Sequence, residues 1–288
     1  GGDRGRHPAQ LQPGLRQRAM NTALLTAWID GIALLAPGLP DWPTARAVLR
    51  GEQAYVAAPS VLPAPTLLPA AERRRASRVV KLALALGLDA AAAGGADVGT
   101  LATVFSASGA DGHNCHALCE QLAGDDRQIS PTRFHNSVHN AAAGYWGVAT
   151  RSMAPCQVLG AYDASFGAGL LEALAQVAVE RQHVLFIAYD SEYPEPLHSA
   201  RPLPDCGGSA LLLAPARSQR SLARIAVAAT NDTAAQLADP ELETLRITIP
   251  ALRCLPLLQV LARSERGPTR VCLDYLPPMQ LRVECEPC

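Results

Sequence analysis

Lysine is nearly absent: Lys81 is the only one in 288 residues, and arginine carries the rest of the positive side-chain charge. We attribute this to codon bias rather than to chemistry. Net charge is −1, which excludes a global electrostatic pull toward nucleic acid or a membrane surface. Neither nucleotide signature occurs, GxGxxG after a strand or GxxxxGK followed by Ser or Thr. No apolar run approaches the ~20 residues of a membrane span. The first nineteen residues are polar and Arg-rich and hold no apolar signal-peptide core. Residues 1–19 read as a flexible leader, either a mis-extended start or an expression remnant, with a basic targeting arm as the alternative.

What is present is an ordinary globular composition, 49% hydrophobic and 18% charged. The length suffices for one large domain with a sizeable core. No internal repeat and no clean boundary is evident, so residues 20–288 read as one domain. The eight cysteines do not form the two paired CxxC units of a zinc ribbon. Cys115 and Cys119 lie four apart beside His113 and His116, which leaves a small metal site conceivable. Cys285 and Cys288 read as exposed tail residues. The remaining thiols fit a reduced, cytoplasmic core.

Periodicity predicts a strand over 24–35, then Pro-rich loops over 36–51 and 58–72. A helix follows over 72–88, with Val79, Leu82, Leu84 and Leu86 on its apolar side. The stretch 98–112 reads as a buried strand ending in a Gly-containing turn, and 113–123 as a helix. Ser130 and Pro131 start another helical segment. A short strand over 156–161 runs into a turn at Asp163 and Ala164. A helix over 165–180 follows, with Phe166, Leu170, Leu171, Leu174 and Val177 on one face, and then a buried strand over 183–190. Strand, helix and strand read as a right-handed βαβ crossover. Residues 209–216 and 221–230 read as neighbouring strands, 255–265 as a helix, and the chain closes on two paired strands.

The segment "SPTRFHNSVHNAAAGYWGVAT…MAPCQVLGAYDASFGAGLLEAL" resembles the N-terminal half of the β-ketoacyl synthases. In that family a Gly-Pro step enters a strand, the strand ends in a turn bearing the catalytic cysteine, and a Ser/Gly/Ala-rich helix begins at once. Here Ala154-Pro155 stands at the step, and Asp163 falls on the cysteine position. Downstream, "DCGGSALLLAPA" resembles the family's Gly-rich strand at about the right distance. The resemblance spans residues 24–216 and implies a thiolase-like layered α/β fold, truncated relative to a full ketosynthase.

The departures concern chemistry. A ketosynthase uses a thiolate whose pKa is lowered at a helix N-terminus, together with two C-terminal histidines. No histidine follows His198. An aspartate is a poor nucleophile toward thioesters, and its acyl anhydride would hydrolyse. Asp163 is therefore expected as the cap of the helix that begins at Ser165. The resemblance points to the chain-length-factor-like subunits, and to the short version found with aryl polyene (xanthomonadin-type) pigment pathways. It implies no cofactor, no catalysis by the chain itself, and a heterodimer with an active ketosynthase served by an acyl carrier protein. It places Phe134, His135, Val138, His139, Asn140, Tyr145, Trp146, Tyr162 and Phe166 at the interface or the end of the partner's acyl tunnel.

Other constellations compete. His135 and His139 would share a helix face, but no Glu stands between them as in HExxH. Ser165 lies at a strand-to-helix turn, so a Ser-dependent acyl hydrolase or acyltransferase is the alternative. His139 would be its base and the turn 106–112 its oxyanion donors, although the GxSxG frame is broken. Arg73, Arg74, Arg75 and Arg78 form a basic face that either meets the carrier protein or is simply solvated.

Overall fold

The computed structural model describes residues 24–263 and 267–288; the leader expected over 1–19 lies outside them. Eight strands form one mixed sheet: β1 (Leu25–Leu35), β2 (Ala102–Ser106), β3 (Cys156–Leu159), β4 (Val184–Asp190), β5 (Gly207–Ala214), β6 (Ala223–Thr230), β7 (Thr269–Asp274) and β8 (Gln280–Pro287). Their order is β3-β2-β4-β5-β1-β6-β8-β7. β2 pairs in parallel with both β3 and β4, while the other pairings are antiparallel. The helices are α1 (Trp42–Arg50), α2 (Ala70–Arg75), α3 (Arg78–Gly94), α4 (Gly112–Ala123), α5 (Pro131–Asn136), α6 (Ala141–Thr150), α7 (Ser165–Glu180), α8 (Leu197–Ala200), α9 (Pro240–Thr248) and α10 (Leu255–Arg263). Among the described residues no helix is long and apolar enough to cross a membrane.

The sheet is buried on both faces, so its central strands are continuously apolar. Alternation along β4 assigns the two cores: Val184, Phe186 and Ala188 face α7 and α10, and Leu185, Ile187 and Tyr189 face α3 and α6. The register of β1 against β5 shifts between Ile29 and Gly31. There α3 approaches so closely that a Cβ on Gly31 would lie 2.1 Å from the Ala90 carbonyl oxygen. The approach requires glycine.

Several expectations need correction. The Pro-rich stretch 36–51 holds α1, whose Asp41 carboxylate accepts from the Thr44 N–H at 2.8 Å. The helix expected over 72–88 is two helices, broken where Ala76 turns extended to bury its methyl group. β6 is not a neighbour of β5, because β1 lies between them. Likewise β2 lies between the two strands joined through α7. Cys285 is buried rather than exposed in a tail; Cys288 is exposed.

Candidate functional site

The site is the turn from β3 into α7. Gly160 is held tightly: a Cβ there would sit 2.7 Å from the Ala107 carbonyl oxygen and 3.2 Å from Nε2 of His139. Tyr162 then adopts a left-handed backbone with φ 54°, a conformation costing a non-glycine residue about 1 kcal/mol. Tyr162–Ala164 forms one 3-10 turn, and α7 follows without a break.

Asp163 does not cap α7. The N-cap is Ala164, which has no side-chain hydrogen bond. The Asp163 carboxylate instead accepts from Nη2 of Arg201 at 2.8 Å. The same guanidinium lies 3.7 Å from the centroid of the Tyr162 ring, a cation–π contact. Burial works against the charge on Arg201, but the hydrogen bond and charge of Asp163, with Tyr162 and Tyr193, leave its pKa raised. One arginine thus braces the strained residue and neutralises the acid beside it.

Ser165 is the internal staple of the turn. It is 1% exposed. Its Oγ donates to the Tyr162 carbonyl at 2.6 Å and accepts from the Ala161 N–H at 2.9 Å. Both partners are backbone groups, so the hydroxyl is not poised as a nucleophile. Nε2 of His139 lies 3.2 Å from the Ala107 carbonyl oxygen and is not placed as the base of Ser165. Within the turn 106–112, expected to supply oxyanion donors, the Ser108 N–H is taken by Asp190 at 2.8 Å. These contacts remove the support for a Ser165 triad.

Asp190, at the end of β4, is the residue sequence reasoning missed. It also accepts from Oγ of Ser108 at 2.6 Å and from the Ala251 N–H at 2.8 Å. Burial pushes its carboxyl up to about 6, against those hydrogen bonds and the charge of Arg201. Tyr193 completes the neighbourhood: a Cβ on Gly109 would lie 2.3 Å from its hydroxyl oxygen, and one on Gly112 2.1 Å from its ring. The available sequence signal was an acid closing a seven-residue apolar strand.

The aromatic segment divides by exposure. Phe134 is 61% exposed, Val138 42% and Tyr162 62%. His135 and Asn140 are exposed, and His139 is half-buried. Tyr145, Trp146 and Phe166 are buried within this chain, which takes them off its exposed surface. The Tyr145 hydroxyl donates to Asn136, Trp146 packs edge-on to Phe105, and Phe166 meets Phe186. His135 and His139 do not share a helix, because α5 ends at Asn136 and α6 begins at Ala141. Strand β3 is an edge strand, and Val148 and Met153, which precede it in sequence, are exposed.

The expected basic face is partly engaged within the chain. Arg78 is bound between Glu192 and Asp205, and Arg73 donates to the carbonyls of Thr66 and Leu68. Arg74 and Arg75 are exposed, Arg75 beside Glu72. Glu192, Asp205 and Cys206 are the one cluster of three potential metal ligands among the described residues. The Arg78 guanidinium already contacts all three, so it supplies the cation. His113 and His116 turn toward Glu192 and Glu120 rather than joining Cys115 and Cys119.

Solved structures share this architecture. The ketosynthase ApeO in complex with its chain length factor ApeC, from Xenorhabdus doucetiae, is similar with TM-score 0.67 and 22% identity, over 90% of this chain and 98% of that one. The ishigamide ketosynthase/chain length factor gives TM-score 0.68 and 17% identity, over 91% and 99%. A β-ketoacyl synthase from Burkholderia phymatum STM815 gives 0.65 and 11%, over 91% and 99%. At these identities the likeness establishes the fold, which is thiolase-like. No curated protein sequence matches. The family model for the β-ketoacyl synthase N-terminal domain matches residues 48–267, three quarters of the chain, and on that match the chain belongs to the β-ketoacyl synthase family.

Proposed function

We propose that this chain is a non-catalytic, chain-length-factor-type subunit. It pairs with a separate, active ketosynthase and shapes the acyl tunnel of that partner during polyene synthesis of the aryl polyene type. The observation that carries the reading is the nucleophile position: it holds Asp163, and that carboxylate is engaged by Arg201. A carboxylate tied to a guanidinium is a weaker nucleophile still, and no histidine follows His198 to activate an extender unit.

Two further features support the reading. The edge strand β3 offers unpaired backbone groups, which proteins ordinarily cover. Phe134, Val138, Met153 and Tyr162 are exposed apolar side chains, a composition suited to a protein interface. The acyl carrier protein would meet exposed Arg74 rather than Arg78. A chain acting in this way would work in the cytoplasm and need no cofactor. Co-expression with a tagged ketosynthase that retains its cysteine and both histidines tests the proposal. Co-purification as a one-to-one complex with altered product length is expected. A chain that stays free and leaves product lengths unchanged overturns it.

A further inference from the structure

A cavity of about 550 Å³ lies outside the β3–α7 turn, between the loop after α1, the segment before β5, and α9. Pro37, Pro59, Pro202 and Pro204 line it, with the Tyr55 ring and Leu245. Proline fixes its own φ, so these walls give little on binding. The loop after α1 is also pinned. The Ala58 carbonyl accepts from the Gly38 N–H at 2.8 Å. Ser60 donates its N–H to Asp205 and its hydroxyl to the Cys206 carbonyl, both at 2.7 Å. A pre-formed, mostly apolar cavity of this volume is the usual shape of a small-molecule site.

The polar side chains of the cavity share one property. They are Tyr55, Asp205, Glu241, Thr244 and Thr248. The Tyr55 hydroxyl donates to the Pro37 carbonyl at 3.0 Å. Those of Thr244 and Thr248 donate to the Pro240 and Thr244 carbonyls, one turn back in α9, at 2.8 and 2.7 Å. A hydroxyl has a single proton, so all three offer the cavity lone pairs. The two carboxylates likewise only accept, and the four prolines have no backbone N–H. The polar lining side chains thus present acceptors and no donor. Asp205 is already paired with Arg78. Among the described residues the Glu241 carboxylate has no hydrogen bond or ion pair, and it stands free for a ligand.

We propose that this cavity binds a small amphipathic cation: an ammonium or guanidinium group at Glu241, carried on an apolar body that packs against the prolines and the Tyr55 ring. An anion of the same shape meets acceptors alone and leaves its charge unpaired. The volume takes a whole small ligand rather than one side chain of a partner.

The test uses the full chain with phenethylammonium, and with hydrocinnamate as a probe of the same apolar body and opposite charge. Calorimetric titration measures affinity, and amide chemical shifts locate the site. Saturable one-to-one binding of the amine is expected, with Kd below about 10 mM and shifts confined to residues 55–59, 202–205 and α9. Hydrocinnamate should bind at least about tenfold more weakly. Glu241→Gln should weaken the amine about fivefold, and Glu241→Arg should reverse the preference toward hydrocinnamate. Circular dichroism checks that both variants keep the fold. No saturable binding in that range, equal binding of the two probes, or an amine affinity unchanged by Glu241→Gln overturns the proposal. Binding of the peptide acetyl-Pro-Pro-Arg amide without the amine also overturns it, in favour of a docked protein segment.

Discussion

Arg201 donates to Asp163 at 2.8 Å while its guanidinium lies 3.7 Å from the Tyr162 ring centroid. One side chain from the segment after β4 thereby fixes two successive residues of the turn between β3 and α7. On the proposed reading, restoring a thiol there does not restore condensation, since no histidine follows His198. Asp163→Cys should yield no condensation product with acyl- and malonyl-loaded carrier protein, as read by mass spectrometry of the carrier. Turnover above background would contradict this.

The same relationship sets a stability ranking. The Asp163 side chain is half exposed, so Asp163→Ala should cost under about 1 kcal/mol. Arg201 is the more buried partner and also loses its stacking on Tyr162. Arg201→Ala should therefore cost more, about 1–3 kcal/mol. Urea unfolding of both variants checks the order.

Two glycines should respond oppositely to alanine. Gly31→Ala drives a methyl group into the Ala90 carbonyl, and backbone cannot swing aside. The expected cost is about 3 kcal/mol or more. Gly144 sits in α6 with nothing within 4 Å of an added Cβ. Gly144→Ala should stabilise by about 0.5–1 kcal/mol through helix propensity. Thermal melts of the isolated chain read both.

Asp190 gives stability a pH dependence. Burial holds its folded pKa at about 6, above the unfolded value of about 3.9. The folded state therefore binds the extra proton between those values, and stability from this group falls as pH rises through the folded pKa. The advantage of wild type over Asp190→Asn should shrink by about 1 kcal/mol between about pH 5 and about pH 7. A difference that grows over the same window would contradict the assignment.

Arg246 is 4% exposed and bonds Glu243 through two nitrogens and Asp274 through a third. It locks α9 to the end of β7. Arg246→Met leaves both carboxylates without their main counter-charge, so a loss of about 3 kcal/mol is expected. A shift in the urea midpoint with an unchanged slope would report it.

The layered fold was legible because most of its strands are long apolar runs and α7 has a clean 3.6-residue face. Two of the helices that were missed, α1 and α9, both begin with Asp and an early Pro, at Asp41-Trp42-Pro43 and Asp239-Pro240. Those start signals were present, but α1 was obscured by surrounding prolines and α9 has a weak apolar face. The turn itself was legible as a short strand running through Asp163 and Ala164 into a helix that begins at Ser165. Its electrostatics were not, since Arg201 lies 38 residues from Asp163 and no local pattern links them. For the same reason Asp190 escaped notice: its partners come from Ser108 and Ala251, distant in sequence and joined only by the sheet. Aromatic content alone did not separate exposed Phe134 and Tyr162 from buried Trp146 and Phe166, because that division depends on which face of each segment packs inward.

The central claim is that the chain works by pairing with an active ketosynthase. Its most direct test is analytical ultracentrifugation of the purified chain with such a partner, followed by product analysis with and without it. The account predicts a one-to-one complex, weakened by Phe134→Asp or Tyr162→Asp, and products whose length depends on the complex. A chain that sediments alone with every active ketosynthase tried, or a complex whose products match those of the ketosynthase by itself, would contradict it.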